Sequence, residues 1–284
     1  MRANKINYIH VNKMSRYTNV KVTISDGQKE KLKAALQSKE GVSIKLSNQD
    51  LSGEDVIALT NAQVNKLTKA EDDNEIKVVI ITGGEKIFAA GADIKEMAQL
   101  NVVGLLNDIR PVFWRNIMNF SKPIIAAVNG FALGAGCELM MHCDIVIAGD
   151  NAQIGQPEIN LGIMPGAGGT QRLLRTVGKS MAMQMVLSGE FINAEQAKTF
   201  GLISEITLPE LSYHRALKLA KVIAKKSPIA VRIAKESILS AYETTLEAGL
   251  ASERKAFTLL AATEDRAEGI TAFMEKRQPM FKGR

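Results

Sequence analysis

Asn129-Gly130-Phe131-Ala132-Leu133-Gly134-Ala135-Gly136-Cys137-Glu138 is the stretch from which the rest of this chain is read. Its companion is Gly155-Gln156-Pro157-Glu158-Ile159-Asn160-Leu161-Gly162-Ile163-Met164-Pro165-Gly166-Ala167-Gly168-Gly169-Thr170. Each holds one glutamate beside glycine-rich backbone in an otherwise apolar run. A lone glutamate near a turn is ordinarily a surface residue. Apolar surroundings disfavour an ionised carboxylate, so a glutamate kept there needs a partner or a use. Two in one pocket can divide the work of general acid and general base.

The surrounding chain has the make-up of a folded α/β protein. Its 284 residues are 46% hydrophobic and only 5% aromatic, which points to an aliphatic core. Strands are expected at Lys77–Thr82, with a glycine stop at Gly83-Gly84, at Pro123–Val128, at Asp144–Ala148 and at Gln153–Gly155. Helix-like runs begin at Ile94, Cys137 and Thr170, and residues 101–121 are amphipathic with Pro111 interrupting them. Strands alternating with helices argue for an α/β core. Phe88-Ala89-Ala90-Gly91-Ala92-Asp93 runs into the helix from Ile94, and its small residues let the backbone approach a ligand closely. Amides at such a junction can bind an anion or oxyanion.

Beyond about residue 210 the pattern is helical. Ser227-Pro228 is an N-cap and first-turn pair, Asp265 with Glu268 resembles a capping box, and Lys276, Arg277, Lys282 and Arg284 make a basic tail suited to phosphate. Gly178-Lys179-Ser180 is not a phosphate loop, because Leu173 stands where that loop needs its first glycine. Residues 1–70 differ in composition and read as a βαβα segment: strands at Val20–Ser25 and Val42–Ser47, helices at Gln28–Leu36 and Asp55–Ala70.

Charge and cysteines narrow the function. The net charge of +6 suits a phosphorylated ligand. No stacking motif for RNA accompanies it, so no nucleic-acid partner is expected. Cys137 and Cys143 lack a metal-site pattern and read as buried free thiols, with no metal, in a reducing cytoplasm. No apolar run reaches membrane-spanning length, so no membrane partner is expected.

From about Glu71 to Arg284 the sequence resembles the crotonase (enoyl-CoA hydratase/isomerase) family. The resemblance is carried by Phe88–Asp93, Asn129–Glu138, and Pro157-Glu158 through Pro165-Gly166-Ala167-Gly168-Gly169-Thr170-Gln171-Arg172-Leu173. It implies a spiral of ββα repeats over residues 71–209, a helical C-terminal region over 210–284, and assembly as a homotrimer or hexamer. It implies Glu138 and Glu158 as the catalytic pair, the N–H groups of Ala92 and Ala135 as oxyanion hole, Gly166 beside the catalytic water, and coenzyme A contacts at Ala90, Ile94 and Lys95. Ala135 stands where many relatives carry glycine, a change that keeps the N–H. The implied reaction is hydration of an α,β-unsaturated acyl-CoA, with no cofactor beyond the coenzyme A of the substrate. Asn107–Pro111, Trp114, Phe257–Arg266 and Phe281–Arg284 point within the family to 2,3-dehydroadipyl-CoA, in phenylacetate catabolism or β-oxidation. Arg110 and Arg115 are candidates for the distal carboxylate.

Residues 1–70 do not match the family pattern. The strands it lacks would pair with Val78–Thr82, so the place beside that strand is open or filled by Val20–Ser25 or Val42–Leu46. Either the N-terminal segment substitutes structurally or it is a fused or misjoined piece. The competing functional reading is a non-catalytic scaffold with an N-terminal interaction module.

Overall fold

A computed structural model describes residues 56–60, 67–84 and 86–284. The expected strands at 20–25 and 42–47 and the helix at 28–36 lie outside the described residues.

The core is built from two sheets. The first is parallel throughout, in the order β1 (Val56–Thr60), β2 (Val78–Thr82), β4 (Ile124–Val128), β6 (Ile145–Gly149), β9 (Glu205–Thr207). The second takes β3 (Ile87–Ala89), β5 (Phe131–Leu133), β7 (Gln153–Gly155) and β8 (Phe191–Asn193), with β8 alone antiparallel. The chain alternates between them: β2 then β3, β4 then β5, β6 then β7, each pair followed by helix. That is the expected ββα spiral.

The uniform apolar run of each central strand has a two-sided cause. Val79, Ile81, Ile124, Ala126 and Val128 face the main core, which also holds Phe88, Ala132 and Ile154 of the second sheet. Val78, Ile80, Ile125, Ala127 and Ile147 face the other way, onto Ala216, Leu217 and Ala220 of the Ser212–Ala224 helix. Successive side chains alternate in face, so burial on both sides demands apolar residues at every position.

Two glycines set the close approaches of the spiral. Gly130, at φ 59, turns the chain from β4 into β5, and a Cβ there would lie 1.7 Å from the Lys86 carbonyl oxygen. A Cβ on Gly136 would lie 2.0 Å from the Ala89 carbonyl oxygen. The helix Ala135–His142 therefore starts in direct backbone contact with the exit of β3, as only a residue without a side chain allows.

Several expectations are corrected. Residues 55–70 are not one helix: Val56–Thr60 is β1, paired in parallel with Val78–Thr82, and among the described residues of this stretch helix begins at Leu67, in Leu67–Asp72. The strand beside β2 is thus neither Val20–Ser25 nor Val42–Leu46. A buried neighbour with unpaired backbone groups outweighs local helical pattern, and the β-branched Val56 and Ile57 suit a strand. The helix from Ile94 is only Ile94–Met97, and the 101–121 region is two helices, Val102–Leu106 and Arg110–Met118, with Pro111 in the first turn of the second. The helix expected from Thr170 to Val177 begins at Gly169 and is broken where expected, by non-helical backbone at Gly178, after which a second helical piece continues to Ser188.

Three further helices follow: Pro228–Ser240, Leu246–Leu260 and Glu264–Met274. Ser227, Thr245 and Thr263 cap them by accepting N–H bonds from Ala230, Ala248 and Arg266. Thr263, not Asp265, caps the last one. Asp265 is buried and its carboxylate accepts the Lys282 and Gly283 amides, fastening the tail. Lys235 anchors the first helix to the core, where it meets Asp144 at 2.8 Å and donates to the Lys122 carbonyl.

Candidate active site

Glu138 lies in the first turn of the Ala135–His142 helix and is 2% exposed. Its Oε1 accepts two backbone hydrogen bonds, from Ala167 N at 2.7 Å and Gly169 N at 2.8 Å. These amides open the Gly169–Ser188 helix, whose N-terminal end favours negative charge. Burial pushes the Glu138 carboxyl above its usual range, and the amides of Gly169 and Ala167 partly restore it.

Glu158 lies on a single 3-10 turn, Pro157–Leu161, that follows β7. It is half-buried. Its Oε1 lies 3.3 Å from the point where Gly134 would carry a Cβ, so it sits over the residue before Ala135. Burial raises its carboxyl too; its own backbone amide opposes the shift and the charge of Glu138 adds to it. Glu158 thus lies close enough to Glu138 to feel its charge. The structure brings together the two glutamates that the sequence singled out.

Between them stands a residue that sequence reasoning passed over. Gln156 is 0% exposed, and one end of its amide lies 3.0 and 3.3 Å from the two Glu158 carboxylate oxygens. With the NH2 turned that way it donates to both. Turned over, the amide donates instead to the Gly134 carbonyl at 3.4 Å. Oxygen and nitrogen of such an amide are assigned from their partners. The signal was present: a glutamine among apolar neighbours, two residues before a candidate acid.

The other expected residues fall around this pair. The Gly91 turn adjoins the helix start, since a Cβ on Gly91 would lie 3.2 Å from the Leu133 carbonyl oxygen and 3.8 Å from Ala135 N. Ala92 and Ala135 are half-buried on these two adjacent segments, and among the described residues no backbone hydrogen bond takes up either N–H. Gly166 is exposed, a Cβ on it would meet nothing within 4 Å, and the next amide is the Ala167 donor to Glu138. Ala90, Ile94 and Lys95 are exposed and lie within three residues of Ala92 in the chain.

His142 closes the site behind Glu138. Its Nδ1 lies 2.8 Å from the Glu138 carbonyl oxygen, which fixes that nitrogen as the donor, and its ring stacks at 5.1 Å on Trp114. Burial and nearby Arg172 hold it down at about 4, so the ring is neutral at physiological pH and serves packing. Burial pushes the Cys137 thiol up to about 12, which keeps it protonated. Arg110 is paired with Asp108, which occupies one of the two arginines expected to read a distal carboxylate. The basic tail is likewise engaged: Arg277 meets Glu268 and Glu275, and Arg284 meets Glu264. Among the described residues no group of three or more His, Cys, Asp or Glu side chains is placed to hold a metal ion, and no helix is long and apolar enough to cross a membrane.

The family model for enoyl-CoA hydratase/isomerase matches residues 56–284. The chain belongs to the enoyl-CoA hydratase/isomerase family. The match opens at residue 56, the first residue of β1, rather than near Glu71. A 2,3-dehydroadipyl-CoA hydratase of Escherichia coli K12 is 56% identical over 227 residues, covering 80% of this chain and 89% of that protein. A mitochondrial enoyl-CoA hydratase of Pongo abelii is 48% identical over 229 residues, covering 79% of each. The crystal structure of an enoyl-CoA hydratase from Bacillus anthracis superposes with a TM-score of 0.77 at 38% identity, covering 83% of this chain and 98% of that one. The family fold therefore extends across both sheets and the C-terminal helices.

Proposed function

We propose that this protein is an enoyl-CoA hydratase that adds water across the 2,3 double bond of an α,β-unsaturated acyl-CoA, with 2,3-dehydroadipyl-CoA as its acyl substrate. The observation that carries the reading is the convergence of Glu138 and Glu158, both raised by burial, beside the adjacent Ala92 and Ala135 segments. A scaffold has no need for two carboxyls, one buried and one half-buried, held in one site. The 56% identity to a dehydroadipyl-CoA hydratase supports the dicarboxylic substrate.

In the reaction, the water oxygen bonds to C3 and the C2=C3 electron pair moves toward the thioester, placing negative charge on its oxygen. The N–H groups of Ala92 and Ala135 receive that charge. One such preorganised donor contributes roughly 3–4 kcal/mol to transition-state stabilisation. Glu138 acts as base. Its Oε1 is pinned by two amides, which favour its ionised form and fix the direction from which it takes the water proton. Glu158 enters protonated and gives its proton to C2, forming the 3-hydroxyacyl-CoA. Burial and the nearby Glu138 charge both favour that protonated state. Gly166 leaves open space for the water, and Ala90, Ile94 and Lys95 contact the coenzyme A moiety. The protein works in the cytoplasm as a trimer or hexamer, which covers the apolar side chains of the C-terminal helices.

The direct test is the loss of enoyl-thioester absorbance, offering 2,3-dehydroadipyl-CoA and crotonyl-CoA in parallel. Higher kcat/KM on the dicarboxylic substrate is the expected result. Preference for crotonyl-CoA would leave the hydratase and remove its proposed substrate. No turnover of either by protein that binds coenzyme A would remove the enzyme reading.

A further inference from the structure

We propose that Gln156 is a positioning residue whose buried amide joins the Glu158 carboxyl to the peptide presenting the Ala135 N–H, so that it fixes the acid and sets the pH at which it ionises. The inference rests on the hydratase reading for its kinetic consequence, though not for its structural one.

The geometry is specific. Gln156 directly follows β7, whose last residue Gly155 pairs with Leu133 in the second sheet, and it is the N-cap of the Pro157–Leu161 turn that carries Glu158. Its side chain is fully buried, and its amide has partners on two sides. Toward the site lie the two Glu158 oxygens, at 3.0 and 3.3 Å. Away from it lie the Gly134 carbonyl, at 3.4 Å, and the Cys137 thiol, to which it is hydrogen-bonded. The Gly134 carbonyl and the Ala135 N–H belong to one peptide group.

This arrangement serves both states of the acid. When Glu158 is a carboxylate, the amide NH2 donates to it, while the carbonyl oxygen turns to the Cys137 S–H. When Glu158 is protonated, its O–H donates to the Gln156 carbonyl and the NH2 turns to the Gly134 carbonyl. That second bond polarises the peptide and strengthens the Ala135 N–H as a donor. Bonds to the charged form are the stronger of the two sets, so the net effect of Gln156 is to favour ionisation of Glu158. It opposes the burial and the Glu138 charge that hold the proton on. Among the described residues, Glu138 is the charged side chain that acts on Glu158, and Glu138 itself faces the Ala167 and Gly169 amides. An acid that must release its proton in every turnover gains from such a counterweight.

The test compares the parent with Q156M, which keeps the length and removes both hydrogen-bonding faces, and with Q156L as a second apolar variant. Glu158 is titrated by infrared spectroscopy of its carboxyl band, identified by subtracting the matching E158Q protein. Removing Gln156 is expected to raise that midpoint by about one pH unit, since one unit is the scale of a single charge-selective contact. In turnover, the high-pH limb of kcat/KM moves up with it, and kcat falls roughly tenfold with a smaller change in KM. A purely structural role would lower activity without moving either midpoint. Unmoved titration in both variants overturns the proposal. Parent protein that titrates as described but does not turn over enoyl-CoA removes the hydratase reading and leaves the Gln156–Glu158 coupling standing.

Discussion

The spiral core and the C-terminal helices solve the same problem of apolar burial in opposite ways. In the core, every residue from Ile124 to Val128 is buried, and the strand is covered on both faces within the chain. In the C-terminal region, the helices Pro228–Ser240 and Leu246–Leu260 bury no residue. Leu246, Phe257 and Phe273 are 80%, 66% and 85% exposed. The central strands of the first region are covered on both faces by the chain itself. The second carries an apolar surface of the kind that marks an interface. The proposed chemistry lies in the first region, and the proposed self-association draws on the exposed face of the second.

The comparison is tested most severely at the glutamates. Glu138→Gln and Glu158→Gln are each expected to slow hydration by a hundredfold to ten-thousandfold, on the order of what a positioned acid or base supplies. Stopped-flow assay of folded variants measures this, and parent-like rates would separate the buried pair from the reaction.

Next in size is the clasp between the two regions. Lys235 and Asp144 are both mostly buried, and Asp144 also accepts the Ile124 amide inside the sheet. Lys235→Met leaves Asp144 buried without its counter-charge and is expected to cost about 3 kcal/mol. Urea denaturation reads it directly. A loss below about 0.5 kcal/mol would show that the helices pack on the core without that clasp.

A smaller effect on the fold is expected from Phe273→Asp, which places a charge on the exposed face and leaves the core untouched. Light scattering should show the assembly of the parent dissociating into monomer with unchanged circular dichroism. A monomeric parent would instead mean that the exposed face has another use.

The smallest effect concerns the site's own stability. Glu158 titrates higher in the folded protein than in the unfolded chain, because burial and Glu138 penalise its charge. The folded state therefore binds more protons between those two values, and stability falls as pH rises from the ordinary carboxylate range through the raised one. Glu158→Gln removes that penalty. Its gain in Tm over the parent should be larger near about pH 7 than near about pH 4. A constant difference would mean that the carboxyl is not strained by its surroundings.

How much of this was legible followed from how local each cause is. The strands at Pro123–Val128 and Asp144–Ala148 could be read because two-sided burial leaves an unbroken apolar run. The 3-10 turn under Glu158 and the strand at Val56–Thr60 could not. The turn depends on the docking of β7, and the strand on an open place beside β2. Asp265 looked like part of a cap, yet it holds the Lys282 and Gly283 amides, seventeen and eighteen residues further on. Gln156 offered only a faint signal, its place two residues before Glu158, because a single glutamine has no periodicity; its 0% exposure and its 3.0 Å approach to Glu158 give it weight.

By itself the sequence picked out Glu138 and Glu158 as the candidate pair. Two glutamates in apolar, glycine-rich runs each call for a partner or a use, and the glycines already announced close backbone approach. Tertiary structure decided what each glutamate feels. Glu138 meets amides twenty-nine and thirty-one residues away, while Glu158 meets Gln156, Gly134 and the charge of Glu138. Acidity depends on burial and on the nearest dipoles, and those are properties of a packed site to which segments distant in the chain each supply a part.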